Sequence, residues 1–163
     1  MYYYLYDASL SEKKYQNELA RIETRLTDLG INGKVNRLSF LKNISQIITE
    51  ESKRGVKTVV VVGNDKTLNQ IINLTANLNL TLGLIPVGPD NRIAKLLGIP
   101  EGEKACDILS ARIVKKLDLG KINNYYFLTC IELGGEKISL ACDNSFFINL
   151  EKGDNIINVS NLN

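Results

Sequence analysis

A doubly wound, mostly parallel α/β sheet over residues 1–120 is the fold class predicted, and three features predict it. Strand-like and helix-like segments alternate from Tyr2 to about residue 117, the pattern of repeated strand–helix–strand units. Thr58 to Val62 is an unbroken β-branched run, as a central parallel strand covered on both faces requires. The polar turns Gly63 to Lys66 and Gly88 to Asn91 follow the two most apolar strands, at the edge where open α/β sheets take their ligands.

Each element has a local reason. Tyr2 to Tyr6 reads as a short buried strand running into a loop at Asp7 to Ser9. Ser11 is a candidate N-cap for a helix whose apolar face is Tyr15, Leu19, Ile22, Leu26 and Leu29, with Gly30 as its stop. Lys34 to Leu38 reads as a second strand, and Leu41, Ile44, Ile47 and Ile48 mark a helix ending before Gly55. After the Thr58 strand and its turn, Thr67 is read as opening a helix through Leu68, Ile71 and Ile72 to about Leu78. Leu82 to Val87 is the next strand. Ile93, Leu96 and Leu97 mark a short helix stopped by Gly98 and Pro100, and a further helix carrying Ile108, Ala111 and Ile113 leads to Asp118.

From Asp118 the grammar becomes antiparallel, so residues 121–163 are predicted as a small β lobe. Four strands are expected there: Tyr125 to Leu133, Lys137 to Ala141, Ser145 to Leu150 and Ile156 to Val159. Gly134 and Gly135 are read as the hairpin turn between the first two, and Lys152 to Asp154 as that between the last two. The open edges of so small a lobe fit pairing with a second copy of the chain, a possible homodimer.

Composition narrows the chemistry. The chain has 163 residues, 44% hydrophobic and 23% charged, enough for one α/β domain and a small appendage. Its 20 basic and 18 acidic residues are spread evenly, which argues against nucleic acid as a partner. With no histidine, the usual neutral-pH general base is missing, and acid–base work falls to carboxylates, lysine or tyrosine. Cys106, Cys130 and Cys142 lack metal-binding spacing and are expected to be reduced and buried, as in a cytoplasmic protein. No segment approaches the run of about 18 apolar residues that would cross a bilayer, and the opening residues lack the pattern of a signal peptide.

Three segments carry a resemblance. Val59 to Asn73, with Gly63-Asn64-Asp65-Lys66-Thr67-Leu68-Asn69-Gln70 at its centre, is similar to the G-G-D-G-T-L-N-E signature of the diacylglycerol kinase catalytic domain, a family shared with sphingosine kinases and bacterial lipid kinases and related to NAD kinases. Leu82 to Pro100, containing Pro86-Val87-Gly88-Pro89-Asp90-Asn91-Arg92 and Leu97-Gly98-Ile99-Pro100, resembles that family's G-x-x-P-x-G-T-G-N-D-x-A-x-x-L-G-I-P. Asp118 to Asn123 with Phe127 resembles its D-L-G-x-V-N-x-x-x-F.

The resemblance implies an ATP or ADP site with magnesium between two lobes, and phosphoryl transfer to a lipid hydroxyl. It assigns Asp65 a catalytic role beside the phosphates. It assigns Gly63, Asn64, Lys66, Thr67, Asn69, Gly88, Asp90, Asn91 and Arg92 to the nucleotide, and it leaves the metal ligands unknown. Asn64 and Lys66 stand where the family has glycines, Pro89 and Asp90 where it has threonine and glycine, Arg92 where it has aspartate, and Asp7 and Ala8 where it tends to have asparagine and proline. Two readings stay open: an acting lipid kinase in which Lys66 and Arg92 reach the phosphates, or an inactive, pseudokinase-like module kept for binding. Asp65 likewise has an alternative, as a helix N-cap. Glu132, Glu136, Asp143 and Glu151 match no family motif and are read as surface charges.

Overall fold

Four parallel strands in the order β2-β1-β3-β4 form the central sheet, in a computed structural model that describes residues 1–38, 43–143, 145–151 and 153–162. The strands are β1 (Tyr2–Tyr6), β2 (Lys34–Arg37), β3 (Thr58–Gly63) and β4 (Thr81–Pro86). Pairing is in register from Tyr2↔Thr58 to Tyr6↔Val62 and from Thr58↔Thr81 to Gly63↔Pro86. The chain first builds outward from β1 to β2, then returns to the other side of β1 with β3. The order therefore reverses between β1 and β3, and an open α/β sheet leaves a crevice at such a point.

The α/β fold is the predicted one, and side-chain alternation explains its layers. Tyr4 and Tyr6 of β1, Val60 and Val62 of β3, and Ile85 face one side, where they pack with Leu19, Ile22 and Leu26 of α1 (Gln16–Asp28) and Ala105 and Cys106 of α5 (Lys104–Ser110). The intervening Tyr3, Leu5, Val59 and Val61 are equally buried. Helix α3 (Asp65–Thr75) packs on β3 and touches both α2 (Ile44–Lys53) and α4 (Arg92–Leu96). Each fully buried side chain of this kind contributes about 1.5–3 kcal/mol, so β1 and β3 anchor the unit. Helices α1, α2 and α4 end within two residues of Gly30, Gly55 and Gly98 respectively.

Several expectations are corrected. Ser11 caps no α-helix: residues 8–11 and 13–15 form two 3-10 turns, the first capped by Asp7, and α1 begins at Gln16. Helix α3 starts at Asp65, two residues before Thr67, because Asn64 provides the cap. The face expected of the last helix is the wrong one. Ala105 and Cys106 are buried while Ile108 is 48% and Ile113 77% exposed, and the helix stops at Ser110. Leu41 of the second predicted helix lies outside the described residues, where α2 is capped by Asn43.

The chain divides into two compact units, Met1–Lys116 and Leu117–Asn163. In the second, β5 (Gly120–Ile122) pairs with β6 (Tyr125–Phe127), and the predicted strand from Tyr125 to Leu133 is interrupted after Phe127. The remainder is one long antiparallel ribbon. Strand β7 (Cys130–Gly135) pairs with β10 (Asn155–Ser160), and β8 (Ile138–Cys142) pairs with β9 (Phe146–Leu150). Three steps from Gly135 to Ile138 face five from Leu150 to Asn155, so the returning arm carries two extra residues at a wide bulge. Gly134 and Gly135 thus lie within a paired strand instead of making a hairpin turn, and Gly153 and Asp154 belong to the bulge, with Lys152 outside the described residues. Cys130 and Cys142 are exposed on this ribbon, contrary to their expected burial, whereas Cys106 is buried.

Candidate functional site

All three of β1, β3 and β4 run to the same edge of the sheet, so Asp7, the Gly63–Thr67 segment and the Gly88–Arg92 segment come together there. Asp7 follows β1 and its N–H donates to the Val62 carbonyl at 2.9 Å. Gly63 ends β3 at φ +158, and a Cβ on it would lie 2.9 Å from the Cβ of Asp7. Glycine is required at this position by close approach.

Asn64 and Lys66 take ordinary backbone. Asn64, at φ −113 and ψ −177, is an extended N-cap whose side-chain oxygen accepts from the Thr67 N–H at 3.2 Å. Lys66 lies in the first turn of α3, exposed, and is not among the residues with positive φ. The strain that a lysine would suffer in a glycine turn is absent because this segment is helix start, not loop. In the second turn the left-handed positions are Gly88 at φ +83 and Asp90 at φ 64. A Cβ on Gly88 would come within 3.2 Å of the Tyr15 hydroxyl. An aspartate tolerates left-handed backbone better than most residues.

Asp65 joins the two turns. Its N–H donates to the Asp90 carbonyl at 3.1 Å, and its carboxylate accepts from the Arg92 N–H at 2.8 Å and the Ile93 N–H at 3.2 Å. It therefore caps α4, while the cap of α3 is Asn64. Asn91, the residue before α4, makes no capping bond; its Nδ2 turns back to donate to the Gly88 carbonyl at 2.7 Å. Its Oδ1 is buried and has no hydrogen-bond partner among the described residues.

Asp7 meets the Gly63–Thr67 segment from the β1 side. Its carboxylate accepts from the Ser9 N–H at 2.7 Å, the Ser9 hydroxyl at 2.5 Å and the hydroxyl of the buried Thr67. Burial alone would raise its pKa, but the Ser9 and Thr67 hydrogen bonds and the Lys66 charge together hold it below the ordinary carboxylate value. Asp7 is thus a fixed anion at the crevice. The resemblance marked Asp7 only as a departure in the first loop; its place in the chain explains its position, because the residue after β1 meets the residue after β3 when the two strands pair.

The remaining assigned residues are near but less engaged. Arg92 is exposed, and its backbone N–H donates to the Asp65 carboxylate. Asn69 lies one turn into α3, half-buried, its carbonyl accepting from the Asn73 side chain. Among the described residues no group of three or more acidic or cysteine side chains converges to hold a metal ion. Glu132, Glu136, Asp143 and Glu151 are all exposed on or beside the β ribbon.

Comparison with known proteins agrees with this fold. The family model of the diacylglycerol kinase catalytic domain matches residues 3–122. A Bacillus subtilis protein named diacylglycerol kinase is 27% identical over 143 residues, covering 85% of this chain and 47% of its own length. A solved diacylglycerol kinase structure from Bacillus anthracis superposes with a TM-score of 0.71 at 21% identity, over 82% of this chain and 47% of that one. The chain spans about half the length of these relatives. No helix among the described residues is long and apolar enough to cross a membrane. From residue 3 to residue 122, the chain belongs to the diacylglycerol kinase catalytic domain family.

Proposed function

We propose that this chain is the nucleotide-binding part of a cytoplasmic lipid kinase of the diacylglycerol kinase type, taking ATP or ADP in the crevice between the ends of β1 and β3. The observation that carries this reading is the convergence of Asp7, Gly63 to Thr67 and Gly88 to Arg92 at the point where strand order reverses. The resemblance assigned nine positions to nucleotide, and all nine lie on the two segments that meet there or on the first two turns of α3.

The whole reaction would pass the terminal phosphoryl group of ATP to a lipid hydroxyl, with positioning and electrostatics doing most of the catalysis. In it, Asp65 holds the two turns at a fixed separation, and Lys66 and Arg92 present exposed cations to the phosphate chain. Magnesium bound with the nucleotide would screen the charge of Asp7 and Asp65. A specific observation favours a second reading, an inactive binding module: the Asp65 carboxylate is already engaged by two α4 amides.

Calorimetry with Mg-ATP tests the first statement. A saturable heat on the folded chain, lost when Gly63 is replaced by valine in a variant that still folds, is the expected result. No heat at millimolar nucleotide contradicts it. Phosphorylation of diacylglycerol in mixed micelles separates the acting kinase from the binding module.

A further inference from the structure

We infer that the open edge of β9 pairs antiparallel with β9 of a second copy of this chain, about a twofold axis at Ile148, joining two β8–β9 hairpins into one four-stranded sheet. The surface lies in Leu117–Asn163, and its role does not depend on the nucleotide-binding reading.

Strand β9 has the composition of a strand flanked on both sides, yet among the described residues it pairs with β8 alone. Its sequence, Phe146-Phe147-Ile148-Asn149-Leu150, holds no charge, proline or glycine. A two-stranded ribbon is marginal in water, and an open edge is ordinarily defended by charge or proline. The α/β unit follows that rule: edge strand β2 carries Lys34 and Arg37, and edge strand β4 ends in Pro86. Strand β9 has neither defence.

The exposed side chains decide what kind of contact covers this strand. Phe146, Phe147 and Ile148 are 52%, 65% and 36% exposed. Successive residues of a strand point to opposite faces, so Phe146 and Phe147 lie on opposite sides of the hairpin. A partner packed on one face leaves one of these rings in water. A strand added at the edge supplies cross-strand neighbours on both faces at once.

The same residues fit their own copy. In a twofold pairing centred on Ile148, Phe146 stands opposite Leu150 of the second copy, and Phe147 opposite Asn149 of the second copy. A charge at the centre would meet itself there, and β9 carries none. Glu151, just past the strand, falls opposite Ser145 of the second copy instead of another carboxylate. The contact is isologous: it uses the same edge of each copy and closes at two chains.

Light scattering on the full 163-residue chain, with charge variants at the axis, tests this. At about 100 μM the wild type is expected at twice the chain mass, as a dimer with a micromolar Kd would be. Ile148→Lys and Ile148→Glu each set like charges against one another, so each alone should run at the single-chain mass. An equal mixture of the two should return to twice that mass, because unlike charges then meet at the axis. A wild type at the single-chain mass overturns the inference. So does a dimer that survives in both charged variants, or a mixture of folded variants that stays monomeric. If either variant does not fold, cysteine cross-linking decides, with Cys130 and Cys142 replaced by serine. A residue on the axis lies opposite itself, within disulfide reach, so oxidised Ile148→Cys should give a cross-linked dimer. Asn149→Cys, displaced along the strand from its own copy, should not. No cross-link in Ile148→Cys, or equal cross-linking in both, overturns the inference.

Discussion

Asp65 sits in the first turn of one helix and closes the first turn of another, so its removal should loosen the crevice more than an ordinary surface carboxylate would. Replacing it by alanine frees the Arg92 and Ile93 amides and detaches α4 from α3. A loss of about 2 kcal/mol in urea unfolding is expected, the range for caps made by charged acceptors. Asp7 acts through charge. Its folded-state pKa lies below the unfolded value near 4, so its stabilising contribution is complete above about pH 4 and falls away as pH drops through the folded pKa. Stability measured from pH 7 down to pH 2 should therefore fall less steeply below about pH 4 in Asp7→Asn than in the wild type. Equal slopes would mean the carboxylate is not held ionised by Ser9 and Thr67.

At the scale of elements, the departures from the family signature change meaning once helix boundaries are known. Lys66 stands where the family has glycine, and read as a loop residue it would be strained; in α3 it is an ordinary helical residue. Lys66→Gly should therefore cost about 1 kcal/mol of stability, as glycine does in a helix, and an unchanged or raised melting temperature would place the residue outside the helix after all. The elements themselves were legible where the physics was local: the β-branched run of β3, the aromatic β1, the heptad-like face of α1 and the glycines that end three helices. The errors arose where a neighbour in space decided. Ser11 lost its cap because Asp7 folds the preceding residues into 3-10 turns, and α5 buries Ala105 and Cys106 where a fit on bulk favoured Ile108 and Ile113. The ribbon was misread because Gly134 and Gly135 looked like a turn, whereas pairing with β10 carries both through the strand.

Over the whole molecule, the site was legible as a set of segments but not as a set of contacts. Motif spacing located the two turns; only the pairing of β1 with β3 brought Asp7 to them, and only the cross-bond from Asp65 showed how they are joined. The thiols offer a probe of how the two units behave. Cys106 lies in the core of the α/β unit, where burial pushes its thiol up to about 11, while Cys130 and Cys142 are exposed on the ribbon. Under native conditions near pH 8, two thiols should react quickly and the third only at the rate of unfolding of Met1–Lys116. Three fast thiols would show that the core around α5 opens readily.

The central claim is that nucleotide enters between the ends of β1 and β3. A crystal structure with Mg-ADP tests it most directly. Density touching the Gly63–Thr67 and Gly88–Arg92 segments, with Asp7 at its edge, is the predicted result. Nucleotide bound at another place on the chain, or an empty crevice at saturating Mg-ADP, would contradict it.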